Sequence, residues 1–354
     1  MKTCTITLQC TDNAGSSLQT YALQKFLNDN GIENEVINYR PKYLLKYGNP
    51  IKRIIKEIIY HRECKSQREK NLRFEKRYIK ETEKSYATYE DLKANPPKAD
   101  VYITGSDQIW NMSYACGRDE AFYLQFVRDG KKISYAASIG KDTIPIDECK
   151  SIADKIEDFD YISIREESSV HQLKPFVNKQ MECVCDPVLL LDRDQYRPLE
   201  TPCLNEKYIL VYLVQPSELL NEVVDYIKQI YKCKVVLIFG VRDNCKCDIH
   251  VRDSSPDEFL WYIDNAEFVI ASSFHAMMFS HIFEKNFALI LPEKNQARIK
   301  HFLDLSGLSE RIIKSSGEIQ KLNLDIDYTD VRKKIRSFAN KSKEWLISSI
   351  SSKG

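Results

Sequence analysis

The chain has 354 residues, 29% of them charged, and its formal net charge at pH 7 is only +1. This balance excludes attraction of nucleic acid or membrane by a global positive field, because such a field needs a large net charge. A chain of this length suits roughly two domains of ordinary size, each with its own hydrophobic core.

The cysteines and the N-terminus indicate the compartment. Eleven cysteines are scattered along the chain, and the first residues have the pattern of a strand rather than of a secretory signal. No apolar run approaches the ~20 residues of a membrane helix. We therefore expect a cytoplasmic protein with reduced thiols. Cys183/Cys185 and Cys245/Cys247 form Cys-x-Cys pairs, but zinc sites usually use wider spacing, so we expect no metal site.

Strand and helix patterns alternate from the N-terminus, which predicts βα units and a mostly parallel sheet. Residues 3–8 predict a strand, residues 17–30 a helix that Gly31 ends, and residues 35–39 a second strand. Charged helical stretches at about 45–95 indicate an insertion, and their mixed signs favour a solvated face over a nucleic-acid patch. The alternation resumes with strands predicted at 99–106, 133–140 and 160–165.

The polar, Pro-containing sequence at 194–207 is the candidate linker. The alternation then starts afresh, with strands predicted at 208–214, 234–240, 268–271 and 286–292 and with helices at 218–231, from Ser255 and from Phe274. We therefore predict an α/β fold of two tandem doubly wound, Rossmann-like domains, with the default site between them. The expected boundaries are 1–200, including a helical insertion at about 45–95; 201–325; and 326–354, whose helix packs back on the first domain.

The most informative segment is a strand, turn and helix pattern that contains His275. The β-prone run 268–271 is followed by the capping types Ser272 and Ser273, and apolar residues recur at helical spacing from Phe274 onward. This order places His275 at a helix N-terminus beside the carboxyl edge of a parallel sheet. Ligands bind at that edge in open α/β sheets, and helix amides there favour anions. The alternative is a histidine that only caps the sheet edge.

Three further segments place polar groups at strand ends. In Gly105-Ser-Asp-Gln-Ile-Trp-Asn111, glycine permits close backbone approach, Ser106, Asp107 and Gln108 offer donors and acceptors, and Trp110 offers a flat apolar wall. The alternative is an Asx-type turn that leads into a helix. The turn Asn13-Ala-Gly-Ser-Ser-Leu-Gln19 holds too few glycines for a dinucleotide fingerprint but could place helix amides near an anion. A plain capped turn is the alternative there.

Arg165 ends a predicted strand, and a guanidinium there can clamp a carboxylate or phosphate through two parallel hydrogen bonds. An exposed ion pair with Glu166 or Glu167 is the alternative. Asp186-Pro187 reads as a hinge or a structural turn. Lys294, Asn295 and Arg298 follow the last strand of the second half and could add positive charge or only solvate the surface.

These fragments together resemble the polysaccharide pyruvyl transferase family. The matching pieces are Asn13–Gln24, Gly105–Asn111, Ser163–Glu167, Asp186–Leu190 and Ser272–His275, and they occur in the family's order. The resemblance implies a fold like the two-domain B-type glycosyltransferases, with the active site in the cleft between domains. It also implies transfer of a pyruvyl group from phosphoenolpyruvate to sugar hydroxyls, giving a ketal and phosphate, with no cofactor and no metal.

The family's basic and histidine positions for phosphoenolpyruvate correspond to Arg165 and His275 here, and the chemistry of the reaction suggests further roles. His275 would be the general acid, because histidine ordinarily titrates nearest neutrality, and Asp107 would orient or deprotonate the acceptor hydroxyl. The expected phosphoenolpyruvate-binding residues are Arg165, Ser273, Phe274, His275 and Arg298. The expected acceptor or cleft residues are Asn13, Gly15, Ser16, Gly105, Ser106, Gln108 and Trp110.

The sequence departs from the family at two positions. Many members carry an arginine where this chain has Ser273, so either Arg298, Lys294 or another cation substitutes, or the donor differs. Ala14 replaces a usual aromatic residue. The expected partners are phosphoenolpyruvate and a saccharide or lipid-linked saccharide acceptor. We expect no nucleic acid, and the charged insertion could contact the inner membrane surface.

Two other functions stay open from the sequence. A nucleotide-sugar glycosyltransferase on the same fold would need a carboxylate for the nucleotide ribose, which Pro256-Asp257-Glu258 could supply. A non-catalytic sugar- or partner-binding relative would keep the fold without the family arginine.

Overall fold

The structure is a computed structural model that describes residues 1–11, 13–44, 60–213, 217–238, 245–291 and 296–352. The predicted insertion's first part (45–59) lies outside these ranges, as do Lys294 and Asn295. The described residues form two compact units. Unit 1 comprises those within Met1–Lys56, Glu75–Leu191 and Arg336–Gly354, and unit 2 those within Glu57–Phe74 and Asp192–Ile335.

Unit 1 is built on a parallel sheet of seven strands in the order β3-β2-β1-β4-β5-β6-β7. Its strands are β1 (Lys2–Ile6), β2 (Glu33–Tyr39), β3 (Glu81–Tyr86), β4 (Val101–Thr104), β5 (Lys131–Ala137), β6 (Tyr161–Ile164) and β7 (Met181–Cys183). All four residues of β4 are buried, as expected for a strand covered on both faces. The core includes Ile6, Ile37, Trp110, Phe122 and Ile164.

Unit 2 is built on a smaller parallel sheet in the order β10-β9-β8-β11-β12. Its strands are β8 (Tyr208–Tyr212), β9 (Lys234–Ile238), β10 (Ile249–Val251), β11 (Phe268–Ala271) and β12 (Phe287–Leu289). The core on one face gathers Ile209, Val211, Val224, Phe268 and Ile270. Both sheets are therefore of the doubly wound, Rossmann-like type that the alternation of patterns predicted.

The helices connect the strands. The first half contains α1 (Ala14–Asp29), α2 (His61–Tyr78), α3 (Tyr89–Ala94), α4 (Ile146–Ile156) and α5 (Glu167–Leu173). The second half contains α6 (Arg193–Tyr196), α7 (Leu220–Tyr231), α8 (Pro256–Asp264), α9 (Phe274–Ile282), α10 (Ala297–Ser306), α11 (Ser316–Ile319) and α12 (Tyr328–Ser351). Short 3-10 turns add Cys116–Arg118, Glu120–Tyr123 and Pro187–Leu190 in unit 1.

The insertion differs from the prediction in two ways. The described residues 60–74 group with unit 2 rather than with the first domain, because Gln67 Nε2 donates to the Ser254 carbonyl and Lys70 Nζ lies 3.0 Å from Glu258. The stretch predicted to be helical also contains β3, a polar edge strand that pairs with β2. The boundary between the two units lies between residues 191 and 192, and not between 200 and 201 as predicted. The last helix is divided: its residues from Arg336 onward group with unit 1, and those before it group with unit 2.

Candidate functional site

Each sheet has one topological switch point, where successive βα connections leave in opposite directions. In unit 1 it lies between β1 and β4, and in unit 2 it lies between β8 and β11. Open α/β sheets bind ligands at the carboxyl edge beside such a point, because the connections leave in opposite directions there. The residues predicted from sequence fall into two polar clusters, one at each switch point.

In unit 1 the connections after β1 and β4 meet at Ser16 and Asp107. Ser16 lies in the first turn of α1, and its Oγ donates a 2.6 Å hydrogen bond to Asp107 Oδ2. The Gln108 amide donates to the other carboxylate oxygen at 2.8 Å. Asp107 is 8% exposed and has a left-handed φ of 68°. A side chain and a backbone amide thus both help to hold the carboxylate at the switch point.

Gly105 is required by the packing of β4 against β5. Its φ is +126°, and a Cβ at this position would lie 2.1 Å from the Tyr135 carbonyl oxygen. No side chain fits between the two backbones at that distance. This close approach lets the chain turn from β4 directly into Ser106 and Asp107, and the following Gly105–Ser106 peptide bond is cis.

Arg165 continues β6 into the same polar cluster. Its Nη1 donates to Asp186 Oδ2 at 2.5 Å and to Ser106 Oγ at 3.4 Å. Ser106 Oγ in turn donates to Asp186 Oδ2 at 3.2 Å, which closes a triangle of three side chains. The alternative of an exposed ion pair is wrong for this arginine, because Arg165 is 3% exposed and its main partner is Asp186.

The charges around Arg165 are predominantly negative. Its Nη2 lies 3.9 Å from Asp107 Oδ1, and its Nε lies 3.8 Å from Glu166 Oε1. Burial by itself lowers the pKa of the Arg165 guanidinium, but the charges of Asp186, Glu166 and Asp107 outweigh it and hold the pKa above its ordinary value. Arg165 therefore keeps its charge while buried. Its predicted contact with a donor anion stays a prediction.

Glu166 links Arg165 to the loop after β5. It accepts a hydrogen bond from Ser138 Oγ, and the Ile139 amide donates to its other oxygen at 3.4 Å. The Ser138 amide then donates to the Asp107 carbonyl at 3.0 Å. Glu166 therefore helps to hold the Ser138 backbone, which in turn contacts the backbone of Asp107.

In unit 2 the switch point carries His275. Strand β11 ends at Ala271, the Ser272 amide donates to the Tyr212 carbonyl at 3.1 Å, and α9 begins at Phe274. Ser273 is the N-cap residue, with extended backbone and no hydrogen bond from its side chain to the helix. His275 is thus in the first turn of a helix that starts at the carboxyl edge, and it is 6% exposed. The predicted strand, turn and helix are confirmed.

Two aromatic contacts position the first turn of α9. The Phe274 and His275 rings pack edge to face with centroids 5.4 Å apart. The Arg298 guanidinium, from the first turn of α10, lies 5.5 Å from the centroid of the Phe274 ring. The structure therefore brings Ser273, Phe274, His275 and Arg298 together, and it places positive charge near a helix N-terminus, where an anion is stabilised.

The remaining predicted site residues have largely structural contacts. Asn13 caps α1 by accepting from the Gly15 amide at 2.9 Å, so that amide is used within the helix. Gln108 Oε1 accepts from Asn111 Nδ2 at 2.8 Å. Trp110 was expected to form a cleft wall, but it is fully buried in the core. Its Nε1 donates to the Phe122 carbonyl, and its ring stacks on Tyr123.

Sequence reasoning missed the contacts of Asp186 and Ser138. Asp186 was interpreted as a hinge or a structural turn, and it does cap the 3-10 turn Pro187–Leu190. Its contact with Arg165 was missed, although Asp186 follows β7, the strand next to β6. Neighbouring carboxyl ends bring Asp186 and Arg165 together, but the strand order needed for that inference is not visible in the sequence. Ser138 follows a strand in the same way, and nothing in its local pattern distinguishes it.

The described ranges contain no group of three or more His, Cys, Asp or Glu side chains that could hold a metal ion. Burial raises the pKa of Cys185 to about 11, although hydrogen bonds with Ser342 and Tyr135 lower it. This cysteine next to Asp186 is therefore a neutral thiol at neutral pH, and not a thiolate nucleophile. Among the described helices, none has both the length and the apolar content needed to cross a membrane.

Comparison with solved structures defines the class of fold. A UDP-GlcNAc 2-epimerase from Listeria monocytogenes, described as putative, aligns with a TM-score of 0.57 at 9% identity, covering 99% of this chain and 95% of that one. The UDP-GlcNAc 2-epimerase from Neisseria meningitidis aligns with 0.53 at 10% identity, covering 99% of both. An α-glucosyltransferase bound to UDP and DNA aligns with a TM-score of 0.50 at 9% identity, and the alignment covers 99% of this chain and 95% of that one. The chain has the two-domain fold of B-type glycosyltransferases and related epimerases.

A sequence profile of the polysaccharide pyruvyl transferase family matches residues 13–295, which is most of the chain. The chain belongs to this family, as its ordered motifs predicted. No curated protein sequence matches it significantly.

Proposed function

We infer that this transferase moves a pyruvyl group from phosphoenolpyruvate to two hydroxyls of a saccharide, free or lipid-linked, and releases phosphate. Family membership supports the class of reaction. The observation that carries the proposal is the setting of His275, a buried histidine in the first turn of a helix at a switch point. A titratable group beside helix amides suits a reaction that protonates an anionic substrate.

The chemistry divides into two steps. Protonated His275 gives its proton to the methylene carbon of phosphoenolpyruvate, which becomes a methyl group and leaves an oxocarbenium-like C2. A sugar hydroxyl attacks C2 and gives its proton to Asp107. The second hydroxyl then displaces phosphate from C2 and its proton leaves with the phosphate, which completes the ketal. Exchange with solvent then removes the proton from Asp107 and returns a proton to His275.

The donor side of this scheme uses the predicted anion-binding residues. The amides of the first turn of α9, together with Arg298, supply positive potential near Phe274 and His275. Arg298 thereby offers a positive charge in place of the family arginine that Ser273 replaces. Arg165 would bind the donor carboxylate or phosphate, and no cofactor enters the scheme.

The rival nucleotide-sugar reaction is less well supported by unit 2. Its carboxylate candidates, Asp257 and Glu258, both have structural contacts. Glu258 Oε2 accepts from the Ser255 amide at 3.0 Å as part of a capping box and lies 3.0 Å from Lys70 Nζ. Asp257 Oδ2 accepts from Thr201 Oγ1 at 2.6 Å. Both carboxylates would have to exchange these partners to hold a ribose.

The test is calorimetric titration with phosphoenolpyruvate, beside UDP, for the wild-type protein and for His275→Ala, Arg165→Ala and Arg298→Ala. Exposed His171→Ala is the control. We expect phosphoenolpyruvate to bind and the three site variants, but not the control, to weaken it by about tenfold or more, as for loss of a charged contact. Binding of UDP without phosphoenolpyruvate would overturn the proposal in favour of glycosyl transfer.

Turnover gives the second test. Phosphate release from phosphoenolpyruvate is measured with a panel of methyl hexopyranosides, and the product is examined for a new methyl signal by NMR. The proposal requires phosphate release that depends on a saccharide and disappears in His275→Ala. Donor binding with no saccharide-dependent release, across acceptors including lipid-linked ones, would instead support a non-catalytic binding protein.

A further inference from the structure

Both carboxylate oxygens of Asp186, which follows β7, accept hydrogen bonds from groups of unit 1. Asp186 is 2% exposed. Its Oδ1 accepts from the Val188 amide at 3.1 Å, which caps the 3-10 turn Pro187–Leu190. Its Oδ2 accepts from both Arg165 Nη1 and Ser106 Oγ. One oxygen therefore fixes the carboxylate to the backbone, while the other is presented to Arg165.

Arg165 needs such a partner because its side chain is long and flexible. The guanidinium is a rigid planar fork, so fixing one nitrogen fixes the direction of the whole group. An arginine that is already held in place loses less conformational entropy when a ligand binds. The Asp186 contact therefore prepares Arg165 for a ligand at the switch point of unit 1.

We propose that Asp186 is a positioning residue that acts through Arg165 and sets the orientation in which the guanidinium meets the donor anion. The role toward the donor rests on the proposed function, whereas the hold on Arg165 does not. The sign of the effect is informative. Removal of a buried negative charge would by itself strengthen anion binding, so weaker binding in its absence points to lost orientation.

The main variant is Asp186→Ser. Serine is a good helix-capping residue and can still accept from the Val188 amide, but it is too short to reach Arg165. Asp160→Ser is the matched control, since Asp160 Oδ2 also accepts from a backbone amide of unit 1, that of Lys132 at 2.8 Å. Asp160 precedes β6 and therefore lies at the opposite edge of the sheet from Arg165. Arg165→Ala and Arg165→Ala/Asp186→Ser complete a double-mutant cycle.

The first readout needs no substrate. NMR of the arginine Nη groups in the full-length protein reports how fast the guanidinium nitrogens of Arg165 rotate. We expect slow rotation in the wild type and in Asp160→Ser, and fast rotation in Asp186→Ser. Equal rotation rates in wild type and Asp186→Ser would overturn the hold on Arg165, whatever the protein binds.

The second readout is the Kd for phosphoenolpyruvate. We expect Asp186→Ser to weaken binding about tenfold in the wild-type background. In the Arg165→Ala background it should cause no loss of binding, because Asp186 acts through Arg165 and removal of its charge alone favours an anion. Tighter binding in Asp186→Ser, or an equal loss in the Arg165→Ala background, would overturn the proposal. Absence of binding to the wild type would defeat the proposed function and the donor role together, while the rotation rates still decide the contact.

Discussion

Ser16 and Asp107 are 91 positions apart in the chain, yet they share a 2.6 Å hydrogen bond between the hydroxyl and the carboxylate. The bond joins the helix that follows β1 to the loop that follows β4, and so it spans the switch point of unit 1. Since Ser16 is held in the first turn of α1, that helix determines where one oxygen of the Asp107 carboxylate points. The orientation of the proposed acceptor base therefore depends on a residue from another βα unit.

Replacement of Ser16 by alanine tests this dependence. A hydrogen bond to a charged group contributes about 1.5–3 kcal/mol, so we expect kcat to fall about tenfold to a hundredfold. The KM for phosphoenolpyruvate should stay within about twofold, because Ser16 acts on the acceptor side in the proposed scheme. Steady-state phosphate release, with a saccharide that supports turnover in the wild type, measures both constants.

The control for Ser16→Ala is Ser17→Ala. Ser17 is the next residue of α1 and is fully buried, but its Oγ has no hydrogen-bond partner among the described residues. This variant should retain wild-type kcat. If Ser16→Ala also retained it, Asp107 would not need the serine for its role.

Gly105 gives a prediction about stability. Gly105→Ala adds a Cβ 2.1 Å from the Tyr135 carbonyl oxygen at a φ of +126°, and we expect a loss of at least about 3 kcal/mol in the free energy of unfolding. Gly31→Ala is the control, since its φ is +74° with nothing within 4 Å of the added Cβ. There only the left-handed backbone matters, at about 1–2 kcal/mol. Urea denaturation compares the two, and equal losses would show that β4 and β5 can separate.

Much of the fold could be predicted because buried parallel strands and capped helices leave local patterns. Strand β11 was predicted with its observed bounds, and the pattern also gave the start of α9. Polar edge strands leave no such pattern. Strand β3, with the sequence Glu-Thr-Glu-Lys-Ser-Tyr, was hidden in a charged stretch because only Thr82 and Tyr86 are buried in it. Its structure depends on pairing with β2, a contact that the local sequence does not contain.

The candidate site was predictable residue by residue but not as a network. Each of Asp107, Arg165 and His275 could be placed at a strand end from local sequence. The triangle of Ser106, Arg165 and Asp186 could not, because it joins the connections of three strands whose order the sequence does not reveal. The same limit explains Trp110. Its aromatic ring suggested a ligand surface, whereas the tertiary packing of Tyr123 and Phe159 uses it as core.

We predict that the stability of unit 2 decreases at acidic pH because of the buried His281. Burial of the imidazole lowers its pKa to about 4, although a hydrogen bond to the Met277 carbonyl raises it. Nδ1 donates that bond at 2.8 Å, and the ring packs against Phe287 and Phe302 with centroids 4.9 Å away. The neutral ring therefore fits the core and the charged ring does not.

The sign follows from proton binding. Between pH 6.5 and pH 4 the unfolded state takes up a proton at His281 that the folded state does not, so stability falls as the pH falls through this window. The full loss is about 3 kcal/mol. His281→Leu should remove this part of the pH dependence, whereas His171→Leu, at an exposed position, should not. Scanning calorimetry at pH 7, 5.5 and 4.5 measures the difference, and parallel curves for wild type and His281→Leu would contradict the prediction.

For Glu200 we predict a pH dependence of stability with the opposite sign. Burial and the neighbouring Asp264 together raise the pKa of the Glu200 carboxyl to about 7, and the nearby Arg197 opposes this rise. Asp264 itself is tied to Arg197, whose Nε donates to it at 2.8 Å, and its carbonyl accepts from Lys285 Nζ. Glu200 is therefore held beside a carboxylate that already has its own cation.

Because the folded-state pKa of Glu200 lies above its unfolded value, the stabilising contribution is complete below about pH 4.5 and is lost as the pH rises through about 7. Glu200→Gln keeps the group neutral at every pH. We expect the variant to have a higher Tm than the wild type at pH 8 and a similar Tm at pH 4.5. Glu206→Gln, at an exposed glutamate paired with Lys234, should show no such change between the two pH values. A Tm difference of equal size at both would mean that Glu200 titrates normally, and that the carboxyl pair shares no proton in the folded protein.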